Sequence, residues 1–131
     1  MPNSLCPFLM FDGNAEAAFN FYFSVFPGSR ANDILRYAAG ESGPEGTIKK
    51  ASYTIAGQTI LTTDSPVKHA FSFTPAVSLF VECESESEID RIYAALCEGG
   101  SALMPIENYG FSRKFAWVND RFGVSWQLNL T

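Results

Sequence analysis

The 131-residue sequence has no long apolar run and only a few basic residues, cysteines and histidines. A membrane-spanning helix needs about 20 consecutive apolar residues, and the apolar runs here end much sooner. Nine Lys and Arg against 14 Asp and Glu give a net charge of -5, whereas nucleic acids and anionic membranes bind basic faces. The N-terminal residues lack the basic stretch followed by an apolar stretch that is typical of a signal peptide, so we expect none. We therefore expect a protein that binds neither membranes nor nucleic acids.

Cysteine is too scarce and too scattered to organise the fold. The three cysteines are Cys6, Cys83 and Cys97, and their number and spacing match neither a disulfide framework nor a zinc site. Each lies in an apolar or helical pattern, where cysteine behaves as a small buried hydrophobe. Because disulfides belong mainly to oxidising compartments, their predicted absence favours a cytoplasmic protein.

Aromatic residues, in contrast, are abundant: they make up 15% of the chain, with twelve Phe, five Tyr and two Trp. The chain is 47% hydrophobic and 18% charged, a balance typical of a single folded domain. A core of this size can bury many large rings. We expect the surplus either to form an interface or to line a pocket.

The first half of the chain predicts a strand, a helix and three strands. The apolar run at residues 5–11 predicts a strand that begins near Pro7 or lies at a sheet edge, because proline lacks a ladder donor. Apolar spacings of three and four predict a helix over residues 14–26, with Asp12 or Asn14 as its cap and Glu16 in its first turn. Strands are expected at residues 31–38, 47–55 and 58–63, with Ala56-Gly57 as a hairpin turn.

The same order then repeats. Residues 76–83 predict a strand, and Ser85 with Glu88 forms a capping box before a helix that ends at Gly99-Gly100. Three further strands are expected at residues 102–106, 112–118 and 124–130, with a turn at residues 120–123. The sequence therefore predicts an α+β fold of two βαβββ modules within one domain, residues 1–131. Their approximate bounds are 1–65 and 76–131, joined by a connector at 65–75.

Several local sequences resemble one known family, and they occur in the order that the family has. They are PFLMFDGNAEAA at residues 7–18, FY at 21–22, FPGSR at 26–30, FSFTPAVSLFVEC at 71–83 and DRFGVSWQ at 120–127. Together they resemble the PhnB-like group of the vicinal oxygen chelate superfamily, the glyoxalase, bleomycin-resistance and dioxygenase fold. This group is often labelled 3-demethylubiquinone-9 3-methyltransferase. The resemblance implies paired βαβββ modules with sheets curled into a cup, a homodimer, and a small-molecule ligand held in the cup.

The resemblance also allows a test for a metal site. Metal-dependent relatives hold an ion with His and Glu side chains. The corresponding positions here fall at or beside Cys6, near Val77 or Ser78, and on Gln127. None supplies an imidazole or a carboxylate, and the single histidine, His69, lies in the connector, where we interpret it as a loop residue. We therefore expect no metal and no cofactor. Relatives in this group also commonly have Cys-Gly-Trp where this chain has Phe115-Ala116-Trp117, so a cysteine nucleophile would be missing.

The strand aromatics give the candidate site. We predict a ligand pocket with an apolar lining and one polar amide contact, formed by Phe8, Met10, Tyr53, Trp117, Trp126 and Gln127. No pair of carboxylates has a spacing that assigns a catalytic role, and neither catalysis nor the substrate follows from the sequence. The leading hypothesis is a metal-independent, small-ligand-binding protein. The alternatives are a metal-dependent glyoxalase- or dioxygenase-type enzyme, an antibiotic-sequestering protein like those of bleomycin resistance, and the methyltransferase of the family label.

Overall fold

The computed structural model describes the whole chain, Met1–Thr131. It divides into two compact units, Met1–His69 and Ala70–Thr131, and the division falls inside the predicted connector. Each unit contains one strand, one helix and three strands, in that order. The elements of the first are β1 Phe8–Phe11, α1 Ala15–Val25, β2 Arg30–Arg36, β3 Ile48–Ile55 and β4 Gln58–Asp64. Those of the second are β5 Leu79–Glu82, α2 Glu86–Cys97, β6 Ser101–Glu107, β7 Lys114–Asn119 and β8 Ser125–Leu130. The predicted α+β fold of two βαβββ modules is confirmed.

Each unit has a four-stranded mixed sheet of the same topology. The strand orders are β1-β4-β3-β2 and β5-β8-β7-β6. Within each sheet the first strand pairs in parallel with the last, and the other pairings are antiparallel. The strand that follows Pro7 begins at Phe8 and lies at a sheet edge, as its proline predicts. Neither α1 nor α2 has the length and the apolar content that crossing a bilayer requires.

The hairpin between β3 and β4 has the turn that the sequence predicts. Ala56 and Gly57 both have positive φ angles, +49° and +79°. Two successive residues of this kind form the tight turn whose twist matches that of an antiparallel strand pair. Ala56 is the single non-glycine residue with a positive φ. An alanine side chain is strained in this conformation, so the turn is not optimal for stability.

The cap of α1 differs from the one predicted. Asn14 occupies the N-cap position but its side chain makes no capping hydrogen bond, and Asp12 pairs instead with Lys68 at 3.1 Å. The capping carboxylate belongs to Asp64, at the end of β4. Its Oδ1 accepts hydrogen bonds from the backbone N–H groups of Gly13 at 2.9 Å and Ala15 at 3.0 Å. Asn14 therefore has the predicted N-cap position, but the capping acceptor is Asp64, which sheet pairing brings beside the helix.

The predicted cap of α2 is confirmed. Ser85 Oγ accepts a hydrogen bond from the Glu88 N–H at 3.1 Å. The Glu88 carboxylate reaches back to the N–H of Glu84 at 2.9 Å. Both partners lie within five residues, so this cap could be read from the sequence without knowledge of the tertiary structure.

Candidate functional site

The second sheet has one face covered by α2 and one face without a helix. Helix α2 packs against β7 and β8, and Lys114 of β7 binds Asp90 of α2 at 2.9 Å. Because side chains alternate along a strand, Trp126 and Leu128 of β8 lie under the helix on the same side as Lys114. The other side, which we call the helix-free face, carries Gln127 and its neighbours.

A chain of hydrogen bonds joins four side chains on this helix-free face. The indole Nε1 of Trp117 donates to Ser125 Oγ at 2.9 Å, and Ser125 Oγ lies 2.7 Å from Ser78 Oγ. The amide Nε2 of Gln127 donates to the same Ser78 oxygen at 3.3 Å. We call these residues the Ser78–Gln127 network. It fixes the plane of one indole and one amide beside each other.

The strand register shows which side chains lie beside Gln127 on the two neighbouring strands. Gln127 is paired with Phe80 on one side and with Trp117 on the other. An amide therefore lies between two aromatic side chains on three adjacent strands, with strands spaced about 4.8 Å apart. Phe80 is 60% exposed, and Trp117 and Gln127 are half-buried. All three are accessible, in contrast to the core residues of the helix side.

An acidic group lies further along the same face. Glu82 accepts hydrogen bonds from Asn129 Nδ2 at 2.8 Å and from the N–H and Oγ1 of Thr131 at 3.2 and 3.0 Å. The bonds from Asn129 and then Thr131 lower the pKa of Glu82 below its usual range. Glu82 is exposed, as the alternation along β5 predicts.

Aromatic rings also cover the start of β7. Phe115 makes edge-on contacts with Phe111, with ring centroids 5.0 Å apart, and with Tyr109 at 6.3 Å. Tyr109 and Phe111 stack at 6.3 Å and remain partly exposed. Phe115 itself is 6% exposed. At the position where the resemblance implies a cysteine, this chain therefore has a packed, buried ring.

Two of the six predicted pocket residues lie on the helix sides of their sheets. Tyr53 is 1% exposed and packs its ring against Phe19 and Phe23 of α1, with centroids 5.3 and 5.7 Å away. Trp126 is 2% exposed, and its Nε1 donates to Asp120 Oδ2 at 2.9 Å. The structure therefore places both residues in the cores of their units.

Two others lie on the helix-free face of the first sheet. Phe8 and Met10 pair in register with Leu61 and Thr63, on the opposite side from Tyr53. Phe8 is 58% exposed and Met10 is half-buried. The remaining two, Trp117 and Gln127, belong to the Ser78–Gln127 network and are the pair that the structure brings together.

The network includes two positions that the resemblance aligns with metal ligands. Ser78 and Gln127 bind each other through a hydroxyl and an amide, and neither is a strong ligand for a divalent ion. Cys6 and His69 belong to the first unit, where His69 Nε2 lies 2.9 Å from Ser65 Oγ. No group of three His, Cys, Asp or Glu side chains is placed to hold a metal ion. The donor set of the network does not fit a tight metal site.

Sequence reasoning missed the roles of Ser125 and Phe80. Ser125 is two residues before Gln127, so simple alternation along β8 already places both on one face. Phe80 could be matched to Gln127 only after the parallel register of β5 and β8 was known. Asn119 was missed too: it is paired with Ser125, and its Oδ1 is buried and accepts no hydrogen bond.

Comparisons with known proteins agree with this architecture. A family model described as 3-demethylubiquinone-9 3-methyltransferase matches residues 3–129. A solved structure from Bacillus cereus, described as a putative 3-demethylubiquinone-9 3-methyltransferase, PhnB protein, is 49% identical. The alignment covers 98% of this chain and 100% of that chain, with a TM-score of 0.95.

Two more distant proteins match over almost their whole length. Protein YjdN of Escherichia coli is 25% identical over 139 residues, covering 96% of this chain and 94% of that protein. A glyoxylase/bleomycin resistance protein/dioxygenase domain from Frankia is 14% identical, with a TM-score of 0.64 and coverage of 99% and 98%. At this level of identity the likeness concerns the fold alone.

Proposed function

The chain belongs to the 3-demethylubiquinone-9 3-methyltransferase family, with the vicinal oxygen chelate fold, and we propose that it binds a small organic ligand without a metal ion. The ligand surface is the helix-free face of the second sheet. Ligand sites are mostly apolar and carry a few fixed polar groups. In this chain, Phe80 and Trp117 supply the apolar surface, and Gln127, which lies between them in the sheet, supplies the fixed polar group.

One observation carries the proposal: the amide of Gln127 is held between two accessible aromatic side chains. Its Nε2 is fixed by Ser78, whereas its Oε1 accepts no hydrogen bond from the chain. An accessible, oriented amide beside an indole is suited to bind the polar end of a ligand whose apolar body lies on the rings. Phe8 and Met10 offer an apolar surface of the same kind in the first unit, and Tyr53 and Trp126 support the sheets from their helix sides.

Methyl transfer is not favoured by the geometry. Nucleotide-type cofactors are commonly bound where the first strand of a parallel sheet leads through a Gly-rich turn into a helix N-terminus. Here the turn after β1 contains one glycine, and the amides of Gly13 and Ala15 are bound by the Asp64 carboxylate. The residues present therefore do not fit S-adenosylmethionine at this turn.

The experiment uses the two indole N–H resonances in a two-dimensional NMR spectrum of labelled protein. A ligand on the helix-free face should shift the resonance of Trp117, whereas that of Trp126, bound to Asp120 under α2, should stay in place. A fragment collection containing S-adenosylmethionine, phosphonates and glycopeptide antibiotics, with and without Mn²⁺, Ni²⁺ or Zn²⁺, compares the alternatives directly. Trp117→Phe serves to assign the resonance.

The possible results separate the candidate functions. Metal-free fragments that move only Trp117 support the proposal. A stoichiometric effect of a divalent ion on Trp117 would instead favour the metal-dependent enzyme, and a selective effect of a glycopeptide would favour antibiotic sequestration. If no compound moves Trp117, the proposed surface is wrong. The homodimer and the cytoplasmic location also stay predictions, and light scattering on the purified protein tests the first.

A further inference from the structure

The Ser78–Gln127 network restricts the kind of ligand, and we infer that it selects an uncharged molecule carrying both a carbonyl oxygen and a hydrogen-bond donor, as an amide does. This inference rests on the proposed function, because it concerns the same face. It follows from counting the hydrogens of the network and the charges around it.

One serine hydroxyl hydrogen has no acceptor within the network. Trp117 donates to Ser125, Gln127 donates to Ser78, and a single bond joins the two hydroxyls. Whichever serine donates in that bond, the other keeps its own hydrogen, because each hydroxyl has one O–H and accepts through its lone pairs. The network therefore has one spare O–H. Ser125 is 2% exposed and Ser78 is half-buried, so a ligand oxygen can bind this hydrogen where Ser125 donates to Ser78 and Ser78 keeps its own.

The same network leaves one acceptor available. Gln127 Oε1 accepts no hydrogen bond from the chain, although it is held beside Trp117. Because polar groups near a core normally find partners, this oxygen favours a ligand that brings an N–H or O–H group. Asn119 lies opposite Ser125 on the same face, but its Oδ1 is buried and closed to a ligand.

The surroundings of the network disfavour an anion. No lysine, arginine or histidine hydrogen-bonds to it: Lys114 binds Asp90 under α2, Arg113 binds the carbonyl of Thr131, and Arg121 binds that of Glu98. The ionised Glu82 lies on the same face, two positions along β5 from Phe80. An anionic ligand would lose its hydration without gaining a counter-charge.

A purely cationic ligand is also a poor match. An amidinium or ammonium group has donors only, so the spare hydroxyl hydrogen would face another donor. A ketone, conversely, satisfies that hydrogen but leaves Gln127 Oε1 without a partner. A neutral amide satisfies both, and a planar ring attached to it can lie on Phe80 and Trp117.

Four compounds of nearly the same shape test this inference. They are benzamide, benzoate, benzamidinium and acetophenone, each titrated into the full chain while the Trp117 indole resonance is followed. One net hydrogen bond is equivalent to roughly a five- to tenfold change in Kd. We therefore expect benzamide to bind about five- to tenfold more tightly than acetophenone or benzamidinium, and benzoate to bind the most weakly.

Two variants test whether the network causes the preference. Gln127→Glu replaces the amide by an acceptor-only carboxylate, so benzamidinium should become the preferred compound. Gln58→Glu makes the same chemical change at an exposed position of the first unit and should leave the order unchanged. Should Gln127→Glu fail to fold, as the Trp126 resonance would reveal, Ser78→Ala is the second variant. It removes the half-buried hydroxyl and leaves only that of Ser125, which is 2% exposed, so benzamide affinity should fall about fivefold.

The results separate this inference from the proposed function. If the Trp117 resonance shows that benzoate or acetophenone binds as tightly as benzamide, the inference is overturned while ligand binding on this face stands. An unchanged order in Gln127→Glu, or unchanged benzamide affinity in Ser78→Ala, overturns it likewise. If none of the four compounds moves Trp117 but other fragments do, the ligand class is wrong. If no compound shifts the Trp117 resonance, the inference and the proposed function both fail.

Discussion

Asp64 offers the most direct test of how the first unit is held together. Its carboxylate is 2% exposed and accepts three backbone hydrogen bonds, from Gly13, Ala15 and Ile48, at 2.9, 3.0 and 2.9 Å. It therefore joins the N-terminus of α1 to the beginning of β3 and the end of β4. Replacing Asp64 by Ala removes all three acceptors at once.

The size of the effect follows from those three bonds. Leaving a buried donor without a partner costs about 1–3 kcal/mol, and loss of an N-cap costs about 0.5–2 kcal/mol. Because Gly13 is exposed and water can replace part of its bond, we expect Asp64→Ala to lower the free energy of unfolding by about 3–5 kcal/mol. That is a large share of the roughly 5–15 kcal/mol available to a domain, and it corresponds to a Tm about 10–20 °C lower.

The assay is urea unfolding followed by far-UV circular dichroism. Tryptophan fluorescence alone would not serve, because both tryptophans, Trp117 and Trp126, belong to the second unit. Asp12→Asn is the matched control: this exposed carboxylate pairs with an exposed lysine, so its loss should change stability by less than about 1 kcal/mol. Wild-type stability in Asp64→Ala, or an equal loss in Asp12→Asn, would refute the assignment of Asp64 as the cap.

Three further predictions concern reactivity, pH and the hairpin. Burial, and to a smaller extent the nearby acidic side chains, raises the pKa of Cys83 to about 11. At pH 8 a thiol reagent should therefore label the partly exposed Cys6 first and Cys83 only in denaturant. Peptide mass spectrometry would show the order of labelling. The hydrogen bond from Arg36 lowers the pKa of Glu16; this stabilisation is present above the usual glutamate pKa and is lost as the pH falls through the lowered value. An NMR titration should find the pKa of Glu16 below its usual range in the wild type and nearer to it in Arg36→Gln; equal values would contradict the ion pair. Ala56→Asn should raise Tm by a few degrees, since asparagine tolerates the positive φ of Ala56 better, and a lower Tm would contradict the strained turn.

Local sequence signals predicted the secondary structure well, because the interactions that produce it are local. The alternation in β8, the helical spacing before Leu96 and the turn at Ala56-Gly57 each depend on residues only a few positions apart. The capping box at Ser85 was found for the same reason. The capping acceptor of α1 was not, because Asp64 lies 49 residues beyond Ala15 in the chain.

The six pocket residues predicted from the sequence lie on both kinds of sheet face. Trp117 and Gln127 were selected by their residue types, and the structure places them side by side on an accessible face. Tyr53 and Trp126 were selected by the same criterion, yet they lie under α1 and α2. Aromatic content identifies residues that are suited both to a core and to a pocket, so residue type alone cannot assign a face.

The sequence by itself determined the order of elements, the two modules and the family, because periodicity, turns and local motifs are properties of neighbouring residues. The tertiary structure decided which aromatic residues are core and which remain accessible, because that depends on which face of each sheet the helix covers. It also decided that Ser78 and Gln127, 49 positions apart, share a hydrogen bond. The parallel pairing of β5 with β8 connects the two ends of the second unit, and the chemistry of the candidate site follows from that long-range contact.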